Sequence, residues 1–338
     1  MRSIIIICCF ITANPVKAQM PDSVKNFIGK ALNLMEQHSV FSAGLNWKNI
    51  RDTANALSKN ATTFKEAAPG IQYAFNALGD KHGWLVFGDE EYRNPAFRPD
   101  TGRISQNIKQ AASKGPKIYA GIVKKEYAYI SIPFFGGQTE AQMTAFAQRI
   151  QDSLLTVINE NTKGIIIDLR LNAGGNMFPM FAGLSNVLGE TDFAIYPTAI
   201  KDSIEKNSIT NNGVAVNGRV ITPLPKTYGD LSAHPVALVI GPVTGSAGEC
   251  LAAGFIGRDK TALIGETTAG YTTANDGFFL HGNDYGMVLA VGYLRDRYGN
   301  VYPENVKPDI EVLGGDDFFN PENDKKIQAA VKWIDLQK

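Results

Sequence analysis

The chain has 338 residues, 44% of them hydrophobic and 20% charged, which is ample apolar material for a folded protein of about two domains and too much for a disordered one. Lys plus Arg and Asp plus Glu both number 33, so the formal net charge is zero. No overall field draws such a chain to nucleic acid or to an anionic membrane, which removes polyanion binders from the leading readings.

Residues 1–18 start Met1-Arg2-Ser3, continue as an apolar run from Ile4 to Ile11, and end Val16-Lys17-Ala18 before Gln19. A basic start, a short apolar run and a small residue at the cut predict a secretory signal peptide over 1–18. The run falls short of the ~20 apolar residues that span a bilayer. The mature protein is therefore expected to be exported, periplasmic or extracellular, without stable membrane insertion. Cleavage removes Cys8 and Cys9 and leaves Cys250, so neither a disulfide framework nor a cysteine-rich metal site is expected.

Residues 19–88 read as a small helical domain, with apolar residues at helical spacing (Val24, Phe27, Ile28, Ala31, Leu32, Met35) and again around 50–57 and 71–78. Residues 89–116 are polar and contain Pro and Gly, and read as a connection with one short helix. Over 117–338 the pattern changes to β-rich runs at 127–133, 164–169 and 235–240, separated by helical stretches at 140–159 and after Gly175. This alternation predicts an α/β core with a substantially parallel sheet. The polar stretch 193–231 interrupts it and reads as a small cap insertion, with Asn217-Gly218 suited to a tight hairpin turn. Strands between 285 and 312 and a terminal helix over 324–336 complete the chain.

Two strand–turn–helix segments carry the residues of chemical interest. In the first, the strand 235–240 leads through Gly245 to Ser246, Ala247, Gly248 and Glu249. A serine there sits where free backbone N–H groups and the positive end of a helix stabilise a developing oxyanion. On local sequence alone, a plain N-cap is the more ordinary reading. In the second, the strand 164–169 leads to Asn172, Ala173, Gly174 and Gly175, whose bare amides suit an anion pocket or simply end the strand. A serine nucleophile needs a base, and the mature chain offers His38, His82, His234 and His281. Of these, His38 reads as a helix-end residue and His281 as part of a hairpin loop, whereas His82 lies in the turn Gly79-Asp80-Lys81-His82.

These motifs, in the order Gly-Asp-x-His, Asp-Leu-Arg-x-Asn-x-Gly-Gly, Ser-Ala-Gly-Glu and then Gly265-Glu266-Thr267-Thr268-Ala269-Gly270, resemble the tail-specific protease and tricorn-core family over about 74–312. One branch of that family uses a Ser–Lys dyad with its lysine after the last motif. Here Tyr271 stands in that place, and the stretch 269–275 is similar to the nisin-resistance group, which pairs serine with histidine. The resemblance implies a crotonase/ClpP-like protease core with a helical domain in front. It further implies Ser246 as nucleophile and His82 as general base. Glu249 would help orient the histidine, and the amides of Ala247 and of Gly174 or Gly175 would form the oxyanion hole. Tyr271 and Asn172 are expected in the substrate groove, walled by the cap and the helical domain.

Glu249 also fits a capping box with Ser246. The segment 89–115 is too short to sustain the separate core of a PDZ domain, which members with the lysine dyad often carry. A histidine serving both proton-transfer steps is expected to titrate near neutrality. The partner is a peptide or protein substrate, with no metal and no organic cofactor. Two rivals remain at this point: a catalytically inactive peptide-binding relative, and a crotonase-like acyl-CoA enzyme.

Overall fold

The computed structural model describes residues 19–97, 100–193, 207–210 and 213–337. The expected signal peptide at 1–18 and much of the expected cap, at 194–206 and 211–212, lie outside the described residues.

Three helices open the fold, α1 (Asp22–His38), α2 (Trp47–Leu57) and α3 (Ala68–Leu78). Strands β1 (Trp84–Phe87) and β2 (Glu90–Tyr92), a 3-10 turn at Thr101–Arg103 and α4 (Gln106–Ser113) follow. The strands β3 (Tyr119–Val123) and β4 (Tyr127–Ser131), the helix α5 (Glu140–Leu155), the strand β5 (Gly164–Asp168) and the short helices α6 (Phe178–Gly183) and α7 (Ser185–Leu188) come next. A small antiparallel sheet comprises β6 (Thr191–Phe193), β7 (Asn207–Thr210), β8 (Gly213–Val216) and β9 (Arg219–Pro223). The second half holds β10 (Val236–Ile240), α8 (Ala247–Phe255), β11 (Thr261–Gly265), β12 (Thr273–His281), β13 (Tyr285–Arg295), β14 (Val301–Tyr302), β15 (Ile310–Glu311) and α9 (Lys325–Asp335).

The central sheet has the order β15-β11-β10-β5-β4-β3, parallel throughout except for the edge pair β3–β4. Every residue of β5 and β10 is buried, as expected of strands covered on both faces and written as continuous apolar runs. Ile165, Ile167, Val236, Leu238 and Ile240 face a core shared with α5, α6 and α8. Ile166, Ala237 and Val239 face the other way, onto Ile327, Val331 and Ile334 of α9.

The small sheet β6-β7-β8-β9 packs behind α5 and α6, with Ile209 and Val214, and Leu224 just after β9, in the same core as the central sheet. Its β8–β9 turn places Asn217 and Gly218 at φ 49° and 81°, the conformation that this pair tolerates in a two-residue hairpin.

Helices α1–α3 do not close a core by themselves. Phe27, Ile28, Leu32, Met35, Ile71 and Phe75 pack against Leu85 and Phe87 of β1 and against Met287, Leu289 and Val291 of β13. These strands belong to a second, antiparallel sheet of order β12-β13-β1-β2, with β14 also pairing β13. Chain segments far apart in sequence thus complete one core, and the loop between α3 and β1 lies where that core meets the central one.

A buried ionic cluster ties the end of β5 to the C-terminal segment. The Arg170 guanidinium donates to Asp168 (2.6 Å), Asp316 (2.9 Å) and Asp324 (2.5 Å), and Lys326 donates to Asp316 and Glu266, both at 2.8 Å. Asp324 also caps α9 through the amides of Lys326 and Ile327.

Candidate active site

Ser246 occupies the N-cap of α8 with φ 51° and ψ −115°. Ordinary N-caps are extended, so this geometry departs from that of a plain cap. A non-glycine residue held there stores about 1–3 kcal/mol of backbone strain, which persists only where surrounding bonds over-determine it. Here the amide of Gly245 donates to the Asn172 carbonyl and that of Gly248 to the Gly245 carbonyl, each at 2.9 Å. Thr244 Oγ1 donates to the Leu169 carbonyl at 2.8 Å. The two glycine turns are thereby locked together. A β-carbon on Gly174 would lie 2.7 Å from Ser246 Cβ, so the close approach requires glycine there.

Of the amides expected to bind an oxyanion, Gly174 N–H is already committed, donating to Asn172 Oδ1 at 3.0 Å. Among the described residues no acceptor engages the amides of Gly175 or Ala247, and both residues line the cleft. Asn172 does not belong to the groove. It is fully buried, its Oδ1 holding Gly174 and its Nδ2 directed at Met180 Sδ at 3.3 Å, so it braces the turn from behind.

Glu249 is also fully buried. Its carboxylate accepts from the amides of Ser246, Gly270 and Tyr271, each at 2.8 Å, and from the Thr268 hydroxyl. Burial raises its pKa, opposed by these four donors. None of its bonds reaches the imidazole of His82. It ties the serine turn to the loop 268–271, and the expected orienting contact is made by another residue.

That residue is Thr273, whose Oγ1 lies 2.8 Å from His82 Nδ1. His82 follows the left-handed cap Gly79, in a loop pinned by the buried Asp80. Asp80 Oδ1 accepts from the amides of His82 (2.9 Å) and Gly83 (2.8 Å), and its Oδ2 from Ala290 of β13 (2.9 Å). Burial pushes the His82 pKa down to about 4, with the charges of Arg93 and Lys81 acting in the same direction and a hydrogen bond to the Thr273 backbone opposing them. This is well below the expected near-neutral value, and the ring is neutral at pH 7. Lys81 itself turns its Nζ toward the Glu304 carbonyl, 3.5 Å away.

Ser246, His82, Tyr271, Gly175 and Ala247 line one cleft of about 970 Å³, with Trp84, Arg93, Phe134 and Phe178 among its other walls. Such a volume takes several residues of a peptide. Ser246 and His82 are not hydrogen-bonded to each other. The Tyr271 ring lies 5.3 Å from the imidazole, centroid to centroid. Among the described residues the small sheet contributes nothing to the cleft, and β1, the start of β12 and the loop 134–138 form part of its walls. The remaining histidines lie elsewhere: His38 ends α1, His234 faces the Leu231 carbonyl and His281 packs on Phe64.

Asp80, Thr273 and Asn275 are site residues that sequence reasoning did not single out, although the first lies in the quoted Gly-Asp-x-His turn and the others end the quoted stretch 269–275. Among the described residues no group of His, Cys, Asp or Glu is arranged to hold a metal ion, and no helix is long and apolar enough to cross a membrane.

The sequence profile of peptidase family S41 matches residues 126–312. The nisin-resistance protein of Lactococcus lactis subsp. lactis is 26% identical over 319 residues, covering 94% of this chain and 89% of that protein. A lipoprotein from Streptococcus agalactiae superposes with a TM-score of 0.70 at 22% identity, over 95% of this chain and 99% of the other. The photosystem II D1 C-terminal processing protease superposes with a TM-score of 0.57 at 13% identity, over 92% of this chain and 98% of the other. At these identities the two structures establish a shared fold, while the profile covers more than half of the chain. The chain therefore belongs to peptidase family S41 and is a serine peptidase.

Proposed function

We propose that the protein is an exported endopeptidase that cleaves unfolded or C-terminal peptide segments through an acyl-enzyme on Ser246, with His82 as general base. The convergence of a strained serine, a neutral imidazole and two unengaged amides on one cleft is the observation that supports it most strongly. In this mechanism Ser246 Oγ attacks the peptide carbonyl while its proton passes to His82 Nε2. The amides of Gly175 and Ala247 receive the charge that develops on the carbonyl oxygen. The proton then goes to the leaving amine, and water attacks the ester by the same route. Substrate binding would draw the imidazole and hydroxyl into contact, since such bonds are often long in an empty site.

The apolar run at 4–11 and the likeness to a lipoprotein support export and a place at the cell envelope. Likeness to a protein named for nisin resistance supports short peptides as the substrate class. Hydrolysis of a quenched-fluorescent peptide library by the mature protein tests the reading. Ser246→Ala and His82→Ala should each lower kcat by roughly three orders of magnitude with an unchanged circular dichroism spectrum. Cleavage that survives in a folded Ser246→Ala variant would refute it.

A further inference from the structure

The hydrogen bonds around His82 fix where its protons sit, and they do so without a carboxylate. Asn275 Nδ2 donates to the His82 carbonyl oxygen at 3.2 Å. A carbonyl oxygen only accepts, so the Asn275 amide must turn its Oδ1 the other way. There the Thr273 hydroxyl donates its single proton to Oδ1 at 3.0 Å. Only lone pairs of Thr273 Oγ1 remain for His82 Nδ1, so Nδ1 carries the ring proton and Nε2 is left bare.

A break in the β12–β13 register between Ala274 and Asn275 accompanies this arrangement. Bulges of that kind re-aim side chains beside active sites. The buried carboxylates nearby are committed elsewhere, Asp80 to three amides and Glu249 to three amides and Thr268, and none of the hydrogen bonds of the His82 ring reaches Asp276, which also lines the cleft.

We propose that Thr273 and Asn275 form a neutral positioning relay that holds His82 in the Nδ1–H tautomer, leaving the Nε2 lone pair to take the Ser246 proton. This rests on the reading of His82 as base. As the Ser246 Oγ–carbon bond forms, the carbonyl π pair moves to oxygen and the hydroxyl proton moves to Nε2. As the carbon–nitrogen bond breaks, that proton leaves on the amine. The protons on Nδ1, Thr273 Oγ1 and Asn275 Nδ2 stay in place throughout.

Thr273→Val removes the acceptor at nearly constant volume, and Thr273→Ser keeps it. For the mature protein, kcat, KM and the ¹⁵N shifts of the His82 ring are measured in both variants, with Ser246 acylation followed in the wild type. The Thr273→Val protein should lose at least about tenfold in kcat, within the roughly 10²–10⁴-fold that acid–base catalysis contributes, while KM holds. Its imidazole should move to the Nε2–H tautomer, and Thr273→Ser should restore both readouts. Wild-type protein that acylates Ser246 but shows an Nε2–H imidazole at rest would overturn the relay alone, as would a Thr273→Val protein with unchanged kcat and tautomer. A kcat loss that Thr273→Ser does not restore would also overturn it. Failure of the wild type to acylate Ser246 would overturn the reading of His82 as base.

Discussion

Burial and two nearby cations keep the His82 imidazole neutral far into the acid range. Protonation removes the lone pair that a base needs, so activity should be lost as pH falls through the depressed pKa and not near 6.5. The acid limb of kcat/KM, which reports the free enzyme, is expected near pH 4. Arg93 supplies part of the depression, so Arg93→Gln should move that limb to higher pH, and a pH–rate series on the two proteins checks both expectations. Ser246 and His82 were legible in the sequence because each sits in a short motif and the motifs recur in a fixed order. The position of Asn172 was not. It lies in a turn with two positive-φ glycines after it, and no side-chain pattern reports which way such a turn points. Glu249 was legible as a capping residue, and its bond to the Ser246 amide is of that kind. Its further bonds to the loop 268–271 depend on long-range packing.

The loop between α3 and β1 places the candidate base, and one buried carboxylate holds that loop to β13. Asp80→Ala would leave the amides of His82, Gly83 and Ala290 without their acceptor. Each unsatisfied buried group is worth about 1–3 kcal/mol, so a large fall in the denaturation midpoint is expected, accompanied by a loss of kcat. Chemical denaturation with an activity assay on the surviving folded fraction measures both. Helices α1–α3 could be read from their apolar stripes. The sheet they rest on could not: β1 is only four residues long, and β12 runs Thr-Ala-Asn-Asp-Gly-Phe-Phe-Leu-His without a clean alternation. The fully buried strands β5 and β10, by contrast, stand out as unbroken apolar runs.

Across the whole molecule, the charged residues of two motifs serve the fold more than the cleft. Arg170, which follows β5, and Glu266, which follows β11, join the cluster that anchors the C-terminal segment and α9. Arg170→Met would leave Asp168, Asp316 and Asp324 buried without their shared cation, a change worth about 3–5 kcal/mol in comparable buried pairs. A fall of that size in unfolding free energy is expected by denaturant titration, with the loss of α9 packing visible in the Trp333 fluorescence. The same molecule-wide packing brings His82, from the helical half, and Ser246, from the central sheet, to one cleft. Labelling with a fluorophosphonate probe, with the adduct mapped by mass spectrometry, tests that meeting most directly. A single adduct on Ser246 is expected, formed roughly 10²–10⁴-fold more slowly in His82→Ala. An adduct that forms as fast without His82, or a folded wild-type protein that leaves Ser246 unlabelled, would contradict it.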